Sequence, residues 1–402
     1  MNQSCYLIKW NEFFQLKISD ILLNNHFQIM SKDSSLKPFD IIDNYRVIKN
    51  IGHGGFGDIF LVRDINSNTP FALKLEKKPN QKVLIETEYS ILKKIQGSLS
   101  FPRVITTGTI DYKKYIVLEL LGPSINKVRL STNVHKLSLS TALRSGIEML
   151  CILRELHSRG FVHRDINSNN FLIRPSSPVP LCLIDFGLSK RYLDKTGEII
   201  PQLEFSNFYG TPRYASLHAH RKFDLGPCDD VISWFFTMIE LICGDLPWSI
   251  SATKDEIMRM KETISDEDLC SGVPHQFIDI YRELKKLSYS DIPDYDFLIN
   301  RLSEAMKENN IPSAGPYDWD KLPDHIFQSI SPLPNKNKTN QIEEIPYDTV
   351  HTVNTASSET QETLLPTPFV TISEEEEHLN EKKCHCCLCW QQCIKSIFGL
   401  SG

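Results

Sequence analysis

The chain of 402 residues has no apolar run long enough to cross a membrane, which takes about 20 residues. It also has no excess of positive charge, because 44 Lys and Arg residues face 50 Asp and Glu residues. The formal net charge is -6, so no general affinity for nucleic acid is expected. No internal repeat is visible, which argues against a solenoid or a propeller.

The 11 cysteines lack the regular spacing of a disulfide framework. Six are scattered along the chain, and five lie between Cys384 and Cys393. Scattered cysteines in a long chain are typical of reduced thiols in the cytosol. The first residues also lack the pattern of a signal peptide, since Lys17 and Asp20 interrupt their apolar residues. These absences together predict a cytoplasmic protein.

What the chain does contain is a change of pattern at about residue 121. Residues 40–121 alternate like strands, with one helix where Ile85, Tyr89, Leu92 and Ile95 share a face. Residues 122–320 are mainly helical, as over residues 143–156 and 232–243. This order predicts an α+β fold of two lobes, a small β-rich N-lobe and a larger helical C-lobe, with a cleft between them.

The ends of the chain have a different composition. Residues 1–39 form a leader whose order the sequence leaves open. Residues 321–380 are rich in Ser, Thr, Pro and Glu and have few aromatic residues. Such a segment cannot bury enough apolar surface to offset its conformational entropy, so we expect it to be disordered. Residues 381–402 form a separate Cys-rich segment.

A glycine-rich loop with G-x-G-x-x-G spacing occupies residues 51–59 (IGHGGFGDI). A dinucleotide-binding loop would run into a helix, but here the sequence continues as a strand. Glycines in such a hairpin let backbone N–H groups approach ATP phosphates without a Cβ clash. An ordinary turn is the alternative. The residues expected to contact ATP here are Ile51, Gly52, His53, Gly54, Gly55, Phe56, Gly57 and Ile59.

The next strand carries FALK at residues 71–74. Its small Ala72 would line the adenine site, and Lys74 would lie beside the phosphates. A lysine in that role needs a carboxylate to orient it. Glu88, in the middle of the predicted helix, is the first candidate, and Glu86 is the alternative.

The pattern H-R-D-x-x-x-x-N appears at residues 163–170 (HRDINSNN), and D-F-G follows at residues 185–187. In this pattern Asp165 accepts the proton of a substrate hydroxyl, and Asn170 binds a metal ion. Asp185 offers hard carboxylate oxygens to Mg²⁺. Four motifs in this order and spacing predict a phosphotransferase that uses ATP and Mg²⁺.

At this point the chain resembles a protein kinase of the casein kinase I superfamily over about residues 40–320. The strings LKKIQG at residues 92–97 and MKE at residues 306–308 are similar to the tau-tubulin kinase branch. The strings that carry the wider resemblance are LLGPS at residues 120–124, GTPRYAS at 210–216, DD at 229–230, LPW at 246–248 and PDY at 293–295.

The resemblance implies a Ser/Thr kinase that acts on protein substrates. We expect a monomer, and the net charge of -6 gives no reason to expect a nucleic-acid partner. The backbones of Glu119 and Leu121 would contact the adenine, and Leu118 would be the gatekeeper residue. Arg213 matches an anion-binding position of the family, and Arg suits phosphate oxygens. We therefore expect a preference for acidic or already phosphorylated substrates.

Three positions depart from the pattern of the family. Asn167 replaces the usual Lys two residues after the catalytic Asp, Ser168 replaces a Pro, and Lys127 replaces an acid near the ribose. Loss of a cation near the γ-phosphate removes transition-state stabilisation. Because Lys74, Glu88, Asp165, Asn170 and Asp185 are all present, the chain is nevertheless predicted to be an active kinase, with a weakly active kinase or a pseudokinase scaffold as the alternative.

The Cys-rich segment has three interpretations. Cys386 and Cys389 have the C-x-x-C spacing of zinc ligands, but no second pair follows. The cluster Cys384–Cys393 next to basic and aromatic residues instead resembles palmitoylated tails, and Trp390 and Phe398 lie on one face of an amphipathic pattern. Acylation would place a cytoplasmic protein at the periphery of a membrane. The third interpretation is that the segment does neither.

Overall fold

The computed structural model describes residues 36–54, 57–77, 84–175, 177–251 and 253–322. The predictions made for Gly55, Phe56, residues 1–35, residues 323–380 and the Cys-rich segment lie outside these ranges. Within them, no helix is long and apolar enough to cross a membrane.

The N-lobe is built on an antiparallel sheet of six strands in the order β1-β2-β3-β4-β6-β5. Val47, Val62, Leu73 and Val117, each from a different strand, are buried together in one core. The predicted strand over residues 115–121 begins and ends two residues earlier. The strands are β1 Ile41–Ile42, β2 Tyr45–His53, β3 Gly57–Asp64, β4 Pro70–Glu76, β5 Val104–Ile110 and β6 Lys113–Glu119.

The one helix of the N-lobe that the structure describes, α1, covers Leu84–Ile95. The predicted apolar face is present, since Ile85, Leu92 and Ile95 are buried. Glu88 is buried among them. A buried carboxylate on an otherwise apolar face needs a cationic partner.

The C-lobe is mainly helical. Its two central helices, α3 and α5, extend beyond the predicted segments. Ser138 caps α3 by accepting a hydrogen bond from the N–H of Thr141, and Pro227 begins α5. The helices are α2 Ile125–Ser131, α3 Leu139–Ser158, α4 Leu217–His220, α5 Pro227–Cys243, α6 Lys254–Thr263, α7 Asp266–Leu269, α8 Gln276–Leu284 and α9 Tyr295–Glu308.

Short antiparallel strand pairs hold the loops at the edge of the C-lobe. β7 (Phe161–Val162) pairs with β10 (Lys190–Arg191), and β8 (Phe171–Ile173) pairs with β9 (Leu181–Leu183). The loop with Asp165 runs from β7 to β8, and Asp185 follows β9. The predicted two-lobed α+β fold is therefore confirmed.

Candidate active site

A cavity of about 590 Å³ brings together residues from the sheet, α1 and the C-lobe loops. The predicted residues Ile51, Gly52, Ile59, Ala72, Lys74, Glu88, Glu119, Leu121 and Asp185 all line it. Leu121 lines this cavity, and its amide N–H makes no hydrogen bond to another residue that the structure describes. It can therefore donate to a ligand.

The described part of the glycine-rich loop is closed by a hydrogen bond from the N–H of Gly54 to the carbonyl of Gly57, 2.9 Å long. A Cβ at Gly57 would lie 2.6 Å from the carbonyl oxygen of Leu75, so a larger residue cannot take its place without a backbone shift. His53 is turned toward Asp58, at 2.9 Å between Nδ1 and Oδ1. His53, Gly54 and Gly57 shape the loop and do not line the cavity.

Lys74 is held by two carboxylates. Its Nζ donates to Glu88 Oε2 at 2.6 Å and to Asp185 Oδ1 at 2.7 Å. Burial alone would lower the pKa of Lys74, but the two carboxylates outweigh it and raise that pKa. The alternative partner Glu86 instead pairs with Lys114, at 3.3 Å. The lysine is therefore charged and oriented across the cavity.

Asp165 lies in a dense set of hydrogen bonds. Thr211 donates its hydroxyl to Asp165 Oδ1 at 2.8 Å, and Asn170 Nδ2 donates to the carbonyl oxygen of Asp165 at 2.8 Å. Burial raises the pKa of Asp165, while Thr211 acts in the opposite direction. The carboxylate is fixed in direction and more basic than usual, which suits a group that accepts a proton.

Asn170 and Asp185 lie close together because the N–H of Ile184 donates to the carbonyl oxygen of Asn170 at 2.9 Å. The amide nitrogen of Asn170 is bound to Asp165, which leaves its side-chain oxygen for a ligand. Burial would raise the pKa of Asp185, but Lys74 overcomes this and lowers it, so the carboxylate is ionised. This pair of hard oxygen donors fits Mg²⁺.

The loop that carries Asp165 is anchored on α5 by Asp230. This buried carboxylate accepts the N–H groups of His163 at 2.6 Å and of Arg164 at 2.8 Å. It also contacts His157 Nε2 at 2.9 Å. Three contacts from one side chain fix the backbone immediately before the catalytic Asp.

Asn167 and Ser168 face the interior of the protein. Asn167 Nδ2 donates to the carbonyl oxygen of Asp165 at 3.1 Å, and its Oδ1 accepts the N–H of Asn169 at 2.9 Å. Ser168 donates to Glu240 Oε2 at 2.9 Å. At the position where a lysine is usual, the neutral side chain of Asn167 thus makes hydrogen bonds within its own loop.

Arg213, the predicted anion-binding residue, is already paired with carboxylates. Its Nε donates to Glu240 Oε1 at 2.9 Å, and its Nη2 contacts Asp245. An anion at this guanidinium would have to compete with both acids. Sequence reasoning missed these partners because they are more than 25 residues away in the chain.

Several residues of the cavity were not identified from the sequence. Leu172 and Ile184 contribute apolar surface, and Asn169 and Lys49 lie at polar positions. Each of these four residues lies in a motif or within two residues of one, and this proximity could have identified them from the sequence. Lys127 also lines the cavity, at the position already noted as a departure.

The protein kinase domain family model matches residues 45–292. The chain therefore belongs to the protein kinase family. Its relatives include a probable serine/threonine-protein kinase of Dictyostelium discoideum, 37% identical over 278 residues. That alignment covers 69% of this chain and 56% of the relative, so the chain spans little more than half of that protein.

The alignment with this chain covers a larger share of two further relatives. The serine/threonine-protein kinase spe-6 of Caenorhabditis elegans is 34% identical over 68% of this chain and 75% of its own length. A probable casein kinase I homolog of Encephalitozoon cuniculi is 33% identical over 69% of this chain and 94% of its own length. The predicted relation to the casein kinase I superfamily is confirmed, whereas the tau-tubulin kinase branch stays a prediction.

Proposed function

We propose that this protein is an ATP-dependent kinase that transfers the γ-phosphate of ATP to Ser or Thr hydroxyls of proteins. The observation that carries the proposal is the assembled set of Lys74, Glu88 and Asp185, with Asp165 and Asn170 beside it. The set combines a buried charged lysine, a carboxylate that can accept a proton and oxygen donors for a metal ion, which are the groups that phosphoryl transfer requires.

Each residue has a role that follows from its contacts. Lys74 binds the phosphates and Glu88 orients it, while Asp165 directs the substrate hydroxyl and takes its proton. Asn170 and Asp185 would hold Mg²⁺, and the bound ion supplies positive charge to the phosphate oxygens. The backbone at Glu119 and Leu121 would bind the adenine, against the small Ala72.

We propose acidic segments, including phosphorylated ones, as the preferred substrates. Lys49 and Lys127 line the cavity and form no ion pair with any acid of the described residues. Arg213 is compensated by Glu240 and Asp245, so these lysines carry more of the available positive charge. Their charge favours acidic side chains on a docked substrate.

The second candidate is a scaffold that binds nucleotide but transfers phosphate poorly. Asn167 favours it, because the loop lacks the cation that usually stabilises the transferred phosphate. Asn167→Lys would supply a positive charge at this position of the loop. Asn167→Met is the matched control, because the Met side chain is about as long as that of Lys but carries no charge.

The test is transfer of labelled phosphate from Mg·ATP to casein, with Asp185→Asn as the inactive control. Transfer that the control lacks establishes the kinase. If the wild-type chain binds ATP but transfers nothing, while Asn167→Lys transfers and Asn167→Met does not, the scaffold is the better description. Replacing casein with a basic protein should lower the rate of an active enzyme.

We further propose that the protein is a cytoplasmic monomer that reaches a membrane surface through palmitoylation of the Cys384–Cys393 cluster. Two or more acyl chains are enough for stable anchoring. Deletion of residues 381–402 should release the protein from the membrane fraction of cells and leave casein phosphorylation unchanged. Retention at the membrane after the deletion would contradict the anchoring.

A further inference from the structure

Three side chains of metal-binding types lie together outside the cavity, where α4 meets the beginning of α5. His218 belongs to α4, and Cys228 and Asp229 belong to the first turn of α5. A nitrogen of His218, the sulfur of Cys228 and an oxygen of Asp229 all lie within 4.8 Å of one another. Ligand atoms of a tetrahedral zinc ion, at about 2.0–2.3 Å from the metal, are roughly 3–4 Å apart. The three donors therefore need only a small adjustment to share one ion.

The carboxylate of Asp229 is held in place by two hydrogen bonds from other groups. Ser216 donates its hydroxyl to Oδ1 at 2.6 Å, and the N–H of Gly226 donates to Oδ2 at 2.9 Å. His218 Nδ1 lies 2.9 Å from Oδ1, and the sulfur of Cys228 lies 3.6 Å from Oδ2. A carboxylate offers about four lone-pair sites. Two of them are thus bound by supporting groups of the kind that orient metal ligands, and two are directed at the other possible ligands.

Negative charge surrounds the thiol of Cys228. Burial raises its pKa, and three carboxylates raise it further, those of Asp229, Asp230 and Asp291. The same field favours a divalent cation, which can replace the thiol proton because a thiol that binds a metal is deprotonated. The electrostatic surroundings of Cys228 therefore suit a metal ion.

His218 gives the cluster its access to solvent. Its side chain is 33% exposed, whereas Cys228 and Asp229 are buried. From this side an ion can enter, and a water molecule can complete a set of four ligands. The positive charge of Arg221 acts on His218 and opposes a cation, but Arg221 pairs with Glu262 at 2.8 Å.

We propose that His218, Cys228 and Asp229 form a zinc-binding site that joins α4 to α5. One sulfur, one nitrogen and one oxygen suit Zn²⁺, whereas Mg²⁺ prefers oxygen donors alone. On binding, the sulfur of Cys228 gives an electron pair to Zn²⁺ and releases its proton to solvent, and neutral His218 binds through Nδ1. Ser216 and Gly226 remain as supports of the carboxylate. The site does not depend on the proposed kinase activity.

The experiment uses Co²⁺ as the probe, because cobalt bound to a thiolate has a charge-transfer band that oxygen and nitrogen ligands do not produce. The parent protein is the full-length chain with the five cysteines of the Cys384–Cys393 cluster replaced by Ser, so that the Cys-rich segment supplies no thiolate. Excess Mg²⁺ occupies the site of Asn170 and Asp185. We expect one bound cobalt per chain with a thiolate band that Zn²⁺ abolishes. A parent protein without this band overturns the proposal.

Single substitutions in the parent protein identify the ligands. Cys228→Ser should abolish the thiolate band. His218→Asn, at a partly exposed position, should weaken cobalt binding roughly 100-fold or more, because loss of a ligand costs more than loss of a supporting group. Cys243→Ser, at an exposed cysteine at the other end of α5, is the matched control and should bind cobalt like the parent.

Circular dichroism without metal checks that each variant keeps its fold. A thiolate band that persists in Cys228→Ser, or unchanged cobalt affinity in His218→Asn, would contradict the assignment of the ligands.

A second readout is thermal stability with and without Zn²⁺. A metal ion that binds the folded chain raises its melting temperature. The rise should appear in the parent and in Cys243→Ser, and it should be absent from Cys228→Ser and His218→Asn. An equal rise in all four proteins would show that Zn²⁺ acts elsewhere on the chain and would overturn the proposal.

Discussion

The two aspartates of the site have opposite pKa shifts although both are buried. The pKa of Asp185 is lowered because Lys74 is 2.7 Å away and outweighs burial. The pKa of Asp165 is raised by burial, which the neutral hydrogen bonds from Thr211 and Asn170 only partly offset. One carboxylate is thereby suited to a metal ion and the other to a proton.

Thr211→Ala should therefore move the acid side of the pH–activity profile. Asp165 must be deprotonated to act, so kcat/KM falls as the pH drops through its pKa. The hydroxyl of Thr211 stabilises the ionised form, and removing it raises that pKa further. The acid limb should shift to higher pH, measured as kcat/KM against pH. Thr211→Ser keeps the hydroxyl as the control, and identical profiles for Ala and wild type would refute the assignment.

Individual residues of the site differ in how far the sequence predicts them. Asp165, Asn170 and Asp185 lie in short motifs whose chemistry is local, so their roles could be inferred from spacing. The charge state of Arg213 depends on Glu240 and Asp245, which reach it only through tertiary packing. The contact of Tyr209 with Arg164, whose guanidinium carbon lies 4.0 Å from the ring centroid, likewise depends on the fold and cannot be inferred from spacing along the chain.

Among the helices, α5 has the closest connection to catalysis because its buried acids face the catalytic loop. Asp230 fixes the backbone of His163 and Arg164, and Glu240 accepts hydrogen bonds from Ser168 and Tyr214. The sequence predicts this helix from its apolar pattern. It does not show that two carboxylates on the helix point at one loop, because that depends on how α5 crosses the lobe.

Asp230→Ala should destabilise the protein strongly. It leaves the N–H groups of His163 and Arg164 and the Nε2 of His157 without their acceptor, at a cost of about 2–5 kcal/mol in the free energy of unfolding. The pKa of Asp230 is lowered in the folded chain despite burial, mainly by His157. Its contribution is therefore present above the unfolded pKa, about 3.9, and is lost as the pH falls through the folded pKa.

Urea unfolding at neutral and at acidic pH checks both parts of this prediction. The difference in the free energy of unfolding between the wild type and Asp230→Ala should be large at neutral pH and should decrease as the solution is acidified. Asp230→Asn, which keeps one oxygen acceptor but no charge, should lie between them. A gap that does not depend on pH would show that the carboxylate charge is not what stabilises the loop.

At the scale of the molecule, the cavity draws its residues from both lobes. Lys74 and Glu88 come from β4 and α1, while Asn169 and Asp185 come from loops of the C-lobe. The order of strands and helices in the sequence predicts the two lobes and the cleft between them. The volume of the cleft and the place of Lys127 in its lining depend on packing between distant segments, which the sequence pattern does not contain.

Because the cavity is shared between the lobes, binding of nucleotide should stabilise the whole domain. At 100 times its Kd, Mg·ATP should add about 2.7 kcal/mol to the free energy of unfolding, seen as a higher melting temperature. ATP with a chelator should add less, because Asn170 and Asp185 then lack the ion that joins them to the phosphates. Asp185→Asn should lose this difference between the two conditions.

Asp194→Asn changes an acid outside the cavity and is the matched control, so it should keep the full response. The measurement separates binding from chemistry, since a scaffold with an intact cavity would be stabilised as much as an active enzyme. A melting temperature that Mg·ATP leaves unchanged, or an equal rise with and without Mg²⁺, would contradict the assignment of the cavity and its metal ligands.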